Sequence, residues 1–144
     1  MNRNRTGAVV AALICLVLCT LAACTQNNGH IGKIFGRWYL ESIEAQGMAA
    51  PDYGGDIFWA FQSSVIRMTQ IEPEHTAHNM SGNFRLEDNT LFISFPDEGQ
   101  APFTLSTGLP RQAELQVLKL DGSSFVVLYE PQPGQTLTYT LRKW

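Results

Sequence analysis

The chain has 144 residues, ten basic and thirteen acidic, with a formal net charge of −3 and three cysteines. From Thr25 onward, eight basic residues stand against thirteen acidic, with no Lys/Arg cluster, which argues against nucleic acid as a partner. All fifteen aromatic residues fall in that same part, enough apolar mass for the core of one domain of about 120 residues.

Arg3 and Arg5 precede an apolar stretch, Gly7 to Leu21, and small residues follow it. These are the parts of a secretory signal, and the stretch is too short to favour a permanent spanning helix. Leu21-Ala22-Ala23-Cys24 resembles the lipobox of bacterial lipoproteins. The resemblance implies removal of residues 1–23, a diacylglyceryl group on the Cys24 thiol and acylation of the new amine. It places the mature chain in the bacterial cell envelope, anchored to the membrane. Thr25 after Cys24, in place of Asp, points to the outer membrane and a periplasmic face. Two or three acyl chains make such attachment stable where one would be marginal. With Cys15 and Cys19 in the leader and Cys24 modified, the mature domain has no disulfide, thiol nucleophile or Cys-based zinc site. Residues 24–33, polar around Gln26 to His30, read as a tether, and eight such residues, if flexible, span about 15 Å.

Residues 34–144 read as one domain of short strands. Gly36 to Glu44 opens it, with Trp38, Leu40 and Ser42 on one face and Tyr39, Glu41 and Ile43 on the other. Pro51 to Asp56 is a loop. Ile57 to Phe61 and Ser64 to Ile71 pair as a hairpin across Gln62-Ser63, and Asn79 to Arg85 joins Thr90 to Phe95 across Glu87-Asp88-Asn89. A short strand is expected near Phe103 to Ser106. Leu115 to Leu120 and Ser124 to Glu130 flank Asp121-Gly122, a pair suited to a turn with positive φ at both central residues. Thr136 to Arg142 comes last, with Leu137, Tyr139 and Leu141 on one face. Eight or nine strands in sequential hairpins predict an all-β antiparallel up-and-down meander, and closure into a barrel removes its edges.

Phe35-Gly36-Arg37-Trp38-Tyr39 resembles the Gly-x-Trp motif that opens lipocalins and the wider calycin group. Together with the meander and the terminal Tyr139 to Trp144, it resembles small lipocalin-like lipoproteins of Bacteroidetes-type bacteria. The resemblance implies an eight-stranded barrel whose base is closed by Gly36, Trp38 and an arginine from the last strand. Arg142 is the candidate for that arginine, facing Trp38 in a cation-π contact of about 1 kcal/mol.

Other chemistry is sparse. Glu72-Pro73-Glu74-His75-Thr76-Ala77-His78 holds two histidines but no evident third ligand, and reads as a solvated loop. Asp52 and Asp56 lack the dense oxygen pattern of a calcium loop. No Gly-x-Ser-x-Gly elbow is present, and the expectation is a protein without enzymatic activity, metal or cofactor. Ile57-Phe58-Trp59-Ala60-Phe61 must place apolar side chains on both faces of its strand. Phe58, Trp59 and Phe61 are therefore candidates for a ligand cup or for an exposed patch. Two functions remain open: a barrel binding a small apolar or amphipathic molecule, and a solid barrel that engages another envelope protein through its loops or that patch.

Overall fold

A computed structural model describes residues 32–96 and 107–144. Eight strands run in chain order: β1 (Gly36–Gln46), β2 (Ile57–Gln62), β3 (Val65–Ile71), β4 (Ala77–Glu87), β5 (Thr90–Ser94), β6 (Gln112–Leu120), β7 (Ser124–Gln132) and β8 (Gln135–Lys143). Each pairs antiparallel with the next, and β8 closes on β1, so the sheet is a barrel with no free edge. Closure satisfies the backbone donors and acceptors that an open meander would leave along its first and last strands. The strand expected near Phe103 lies outside the described residues, as do Cys24 and the leader.

One face of every strand fills the interior. Ile57, Trp59 and Phe61 alternate inward on β2, Ile66 and Met68 on β3, Leu91 and Ile93 on β5, Phe125 and Val127 on β7, and Leu137, Tyr139 and Leu141 on β8. This period-two pattern lets a strand bury one face while the other carries Thr, Gln and charged side chains.

Two local expectations need correction. The opening strand does not keep one parity: the β1–β8 register shifts between Leu40 and Ser42, and beyond it Ile43 faces Tyr139 and Ala45 faces Leu137. A bulge inserts one residue and flips every later side chain to the other face, so Ile43 joins the core and Ser42 leaves it. The β6–β7 turn does not place Asp121 and Gly122 at positive φ. Instead the Asp121 carboxylate accepts from the Ser123 amide at 2.8 Å, the Ser124 amide at 2.7 Å and the Ser123 hydroxyl at 3.1 Å. A side-chain acceptor does the work expected of backbone conformation.

The turns at Ser63, Asp88 and Asp121, together with the start of β1 and the end of β8, make one end of the barrel, here the base. The β1–β2, β3–β4, β5–β6 and β7–β8 connections make the other end, the mouth.

Candidate functional site

The base is closed by the opening motif. Trp38 is fully buried, its indole N–H donates to the Ile34 carbonyl at 2.7 Å, and its ring stands 5.4 Å from that of Phe125. Phe61 bridges Phe125 and Phe84, and Phe35 lies against Phe84, so aromatic side chains fill the lower barrel. The cation over Trp38 is Lys143, with its Nζ 4.3 Å from the ring centroid. It is not Arg142. Trp38 pairs with Lys143 across the β1–β8 ladder and Tyr39 pairs with Arg142, and directly opposed residues share a face. Lys143 therefore turns inward with Trp38. Arg142 turns outward, 5.6 Å from Tyr39, with its Nε donating to Glu41 at 2.8 Å.

Lys143 also donates to the Phe35 carbonyl, and burial pulls its ammonium below the usual lysine range. Gly36 completes the cluster. Its φ is +110°, and a Cβ there would stand 2.8 Å from the Lys143 Nζ. The backbone conformation is what requires glycine here, and a Cβ would also push the flexible end of Lys143 aside.

Above this base the interior holds Trp59, Met68, Met80, Leu115, Val127 and Tyr139, all buried. The Trp59 indole N–H is buried and has no hydrogen-bond partner among the described residues. Its ring is 5.8 Å from that of Tyr139. The Tyr139 hydroxyl donates to the Thr107 carbonyl at 2.7 Å, and burial pushes its pKa above the ordinary phenol range.

Residues 107–109 sit across the mouth, Thr107 and Leu109 both buried. Gly108 has φ +70°, and a Cβ there would meet Leu137 at 2.9 Å and Pro51 at 3.0 Å. The β1–β2 connection thus meets the β5–β6 connection over the barrel. Tyr53 fastens the former by donating its hydroxyl to the Leu40 carbonyl at the bulge. Sequence reading did not single out Thr107, Leu109 or Lys143. The signal for Lys143 was strand parity alone, counted back from Trp144.

The three candidates on β2 separate. Trp59 and Phe61 point inward, while Phe58 points outward and is nevertheless only 6% exposed. Phe58 lines neither a cup nor an open patch. Arg37 lies 4.2 Å over its ring, Tyr39 is 5.3 Å away, and Trp144 stands edge-on at 5.1 Å. The residue after β8 returns to cover the face that β2 could not bury inside.

The loop expected from Glu72 to His78 ends at Ala77, where β4 begins; His78 on that strand places Nε2 3.2 Å from a Glu72 carboxylate oxygen, and His75 takes a positive φ of 63° in the turn. Asp56, with φ 64°, uses its backbone carbonyl to accept from the Ile71 amide.

Charge divides between the ends. Lys33, Arg37, Arg67, Arg85, Lys119, Arg142 and Lys143 lie in the base half with Glu41, Glu87, Asp88 and Asp121. The mouth half holds Arg111 with Glu44, Asp52, Asp56, Glu72, Glu74, Glu114 and Glu130. Among the described residues the base is net basic and the mouth strongly acidic.

Comparison with known proteins agrees with this architecture. The profile of the lipocalin-like domain family matches residues 17–129, more than half of the chain. Two solved structures share the fold. One is a lipocalin-like protein from Bacteroides uniformis, 20% identical, with a TM-score of 0.61 over 78% of this chain and 100% of that one. The other is an uncharacterized protein from Bacteroides eggerthii, 19% identical, with a TM-score of 0.61 over 77% and 99% of the two chains. No curated protein matches the sequence.

Proposed function

Because the chain belongs to the lipocalin-like domain family, we propose that it is a lipid-anchored envelope protein whose barrel binds a small apolar molecule without chemistry. The observation that carries this reading is the indole N–H of Trp59, buried in the interior with no acceptor among the described residues. An orphaned buried donor costs about 1–3 kcal/mol, and a ligand that brings an acceptor recovers it. The ligand class follows from the surroundings. Met68, Met80, Leu115, Val127 and the Tyr139 ring offer apolar contact, and the two methionine side chains adapt their shape readily. The inward-facing cation, Lys143, is already committed to Trp38 and Phe35 at the base. A carboxylate is disfavoured by that interior and by the acidic mouth, so the fitting ligand is an apolar body with one uncharged acceptor such as an ester, amide or ketone.

Entry requires the mouth to yield. Thr107 and Leu109 are buried and Tyr139 donates to the Thr107 carbonyl, so opening the mouth means withdrawing these side chains from the core. The test is native mass spectrometry of the protein purified gently from its own membranes. A discrete adduct beyond the acyl groups, in one-to-one ratio and lost on Trp59→Phe, supports the reading. A mass equal to polypeptide plus acyl groups, for protein never exposed to solvent extraction, contradicts it.

The reading of Ile57 to Phe61 as an open docking patch loses support, because both faces of that strand are covered.

A further inference from the structure

Three large apolar side chains are exposed among the described residues, and all three are at the base. Val65, 41% exposed, follows the β2–β3 turn; Leu118, 51% exposed, lies at the β6–β7 register shift two residues before β6 ends; Trp144, 62% exposed, follows β8. The positive half of the molecule is the same half. Arg85, Lys119 and Arg142 are paired with Glu87, Asp121 and Glu41, whereas Lys33, Arg37 and Arg67 have no acidic partner among the described residues. Shallow grooves of about 330 Å³ beside Val65 and Arg67, and about 300 Å³ beside Leu118 and Lys119, lie on the outer wall at this end. The chain from Cys24 also enters here, at Lys33, and the seven intervening residues let Cys24 lie no more than about 30 Å from Gly32.

We infer that the base of the barrel seats on an anionic phospholipid surface, with Trp144 at headgroup depth and the mouth turned away from the bilayer. The chemistry matches on each count. An indole with one apolar and one polar edge prefers the interfacial layer, and Leu118 and Val65 are isolated apolar side chains of the kind that dip into it. Unpaired Lys and Arg gain contact with anionic headgroups within a Debye length of the surface. The acidic mouth is repelled by the same surface, so the charge division orients the molecule as well as attracting it. A protein partner would be served by one contiguous patch. The exposed apolar residues stand instead at three separate points around the rim, an arrangement suited to a planar support. The inference rests on the anchor reading only for how the barrel is kept near the membrane.

The test uses the full lipidated chain in vesicles of phosphatidylcholine alone, or with three parts in ten phosphatidylglycerol, each with and without lipids brominated near the headgroup. Trp38 and Trp59 are fully buried, so bromine quenching reports Trp144, and Trp144→Phe supplies the background. The expected result is quenching about threefold greater with the anionic lipid, reversed by 0.5 M salt while the protein still co-floats, and lost in Arg37→Gln/Arg67→Gln. Complete co-flotation with equal or no quenching in both lipids overturns the inference and leaves the anchor intact. Failure to co-float with phosphatidylcholine overturns the anchor. The anionic vesicles then decide alone: capture with quenching supports the seated base, and no capture overturns it.

Discussion

Replacing Lys143 by methionine separates the two cations that end the chain. Methionine keeps an unbranched stem over Trp38 but removes the ammonium that lies 4.3 Å from its ring and donates to the Phe35 carbonyl. A hydrogen bond from a charged donor contributes about 1.5–3 kcal/mol and the cation-π contact about 1 kcal/mol. The lowered pKa of the ammonium shows that desolvation outweighs these gains for the charge itself, so what Lys143→Met loses is chiefly the hydrogen bond to Phe35, about 1 kcal/mol. Arg142→Met is the control. Its Glu41 pair is half exposed and its contacts to Tyr39 and Trp144 are at 5.6 and 5.7 Å, so the loss is about 0.5 kcal/mol. Urea unfolding followed by tryptophan fluorescence reads the difference as a midpoint lowered by about 0.8 M for Lys143→Met and by less than about 0.4 M for Arg142→Met. The pH dependence gives a second signature. Burial lowers the folded-state pKa of Lys143 below its ordinary 10.5, so as pH rises through that interval the unfolded chain holds more protons than the native one. Its contribution to stability then increases with pH, and Lys143→Met abolishes this increment. An Arg142→Met loss equal to or larger than that of Lys143→Met refutes the parity argument.

Gly36→Ala forces a Cβ onto a backbone with φ +110° and against the Lys143 ammonium, and costs about 1–3 kcal/mol in the same unfolding assay. Tyr139→Phe removes the bond to Thr107 at the mouth, which speeds amide hydrogen exchange at residues 107–109 about tenfold while leaving the base unchanged. The Asp121 carboxyl, held down to about 2 by the Ser123 and Ser124 amides, keeps the β6–β7 turn formed until the pH falls through that value; carboxyl NMR titration reads the midpoint. Cys24→Ser leaves the barrel folded by circular dichroism and moves the protein from the membrane to the soluble fraction.

The meander was legible because each strand carries its own period-two signal, and because turn residues such as Gln62-Ser63 and Asp88-Asn89 fall between the apolar runs. What escaped was parity over distance. The bulge after Leu40, which turns Ile43 and Ala45 inward, is not marked by composition, whereas the inward alternation of Leu137, Tyr139 and Leu141 continues to Lys143 and was legible in β8 itself. The same blindness concealed the charge division. Lys33, Arg67, Arg85 and Lys119 are scattered along the sequence, and only the alternating direction of the strands gathers them at one end. The cover on Phe58 was invisible for a related reason, since Trp144 is 86 residues away and reaches it solely because the barrel closes β8 against β1. Trp59 was identified as apolar strand content, but the isolation of its N–H is a property of the assembled interior.

Occupation of the interior at the Trp59 donor is read by the indole proton–nitrogen NMR spectrum of the protein, whose three tryptophans give three signals. On addition of a neutral lipid extract from the producing membranes, a ligand seated in the interior gives a downfield shift and slower solvent exchange of the Trp59 signal, with Trp38 unmoved. A spectrum in which Trp59 does not respond while Trp144 does would mean that the lipids meet only the outer surface, and would contradict interior binding.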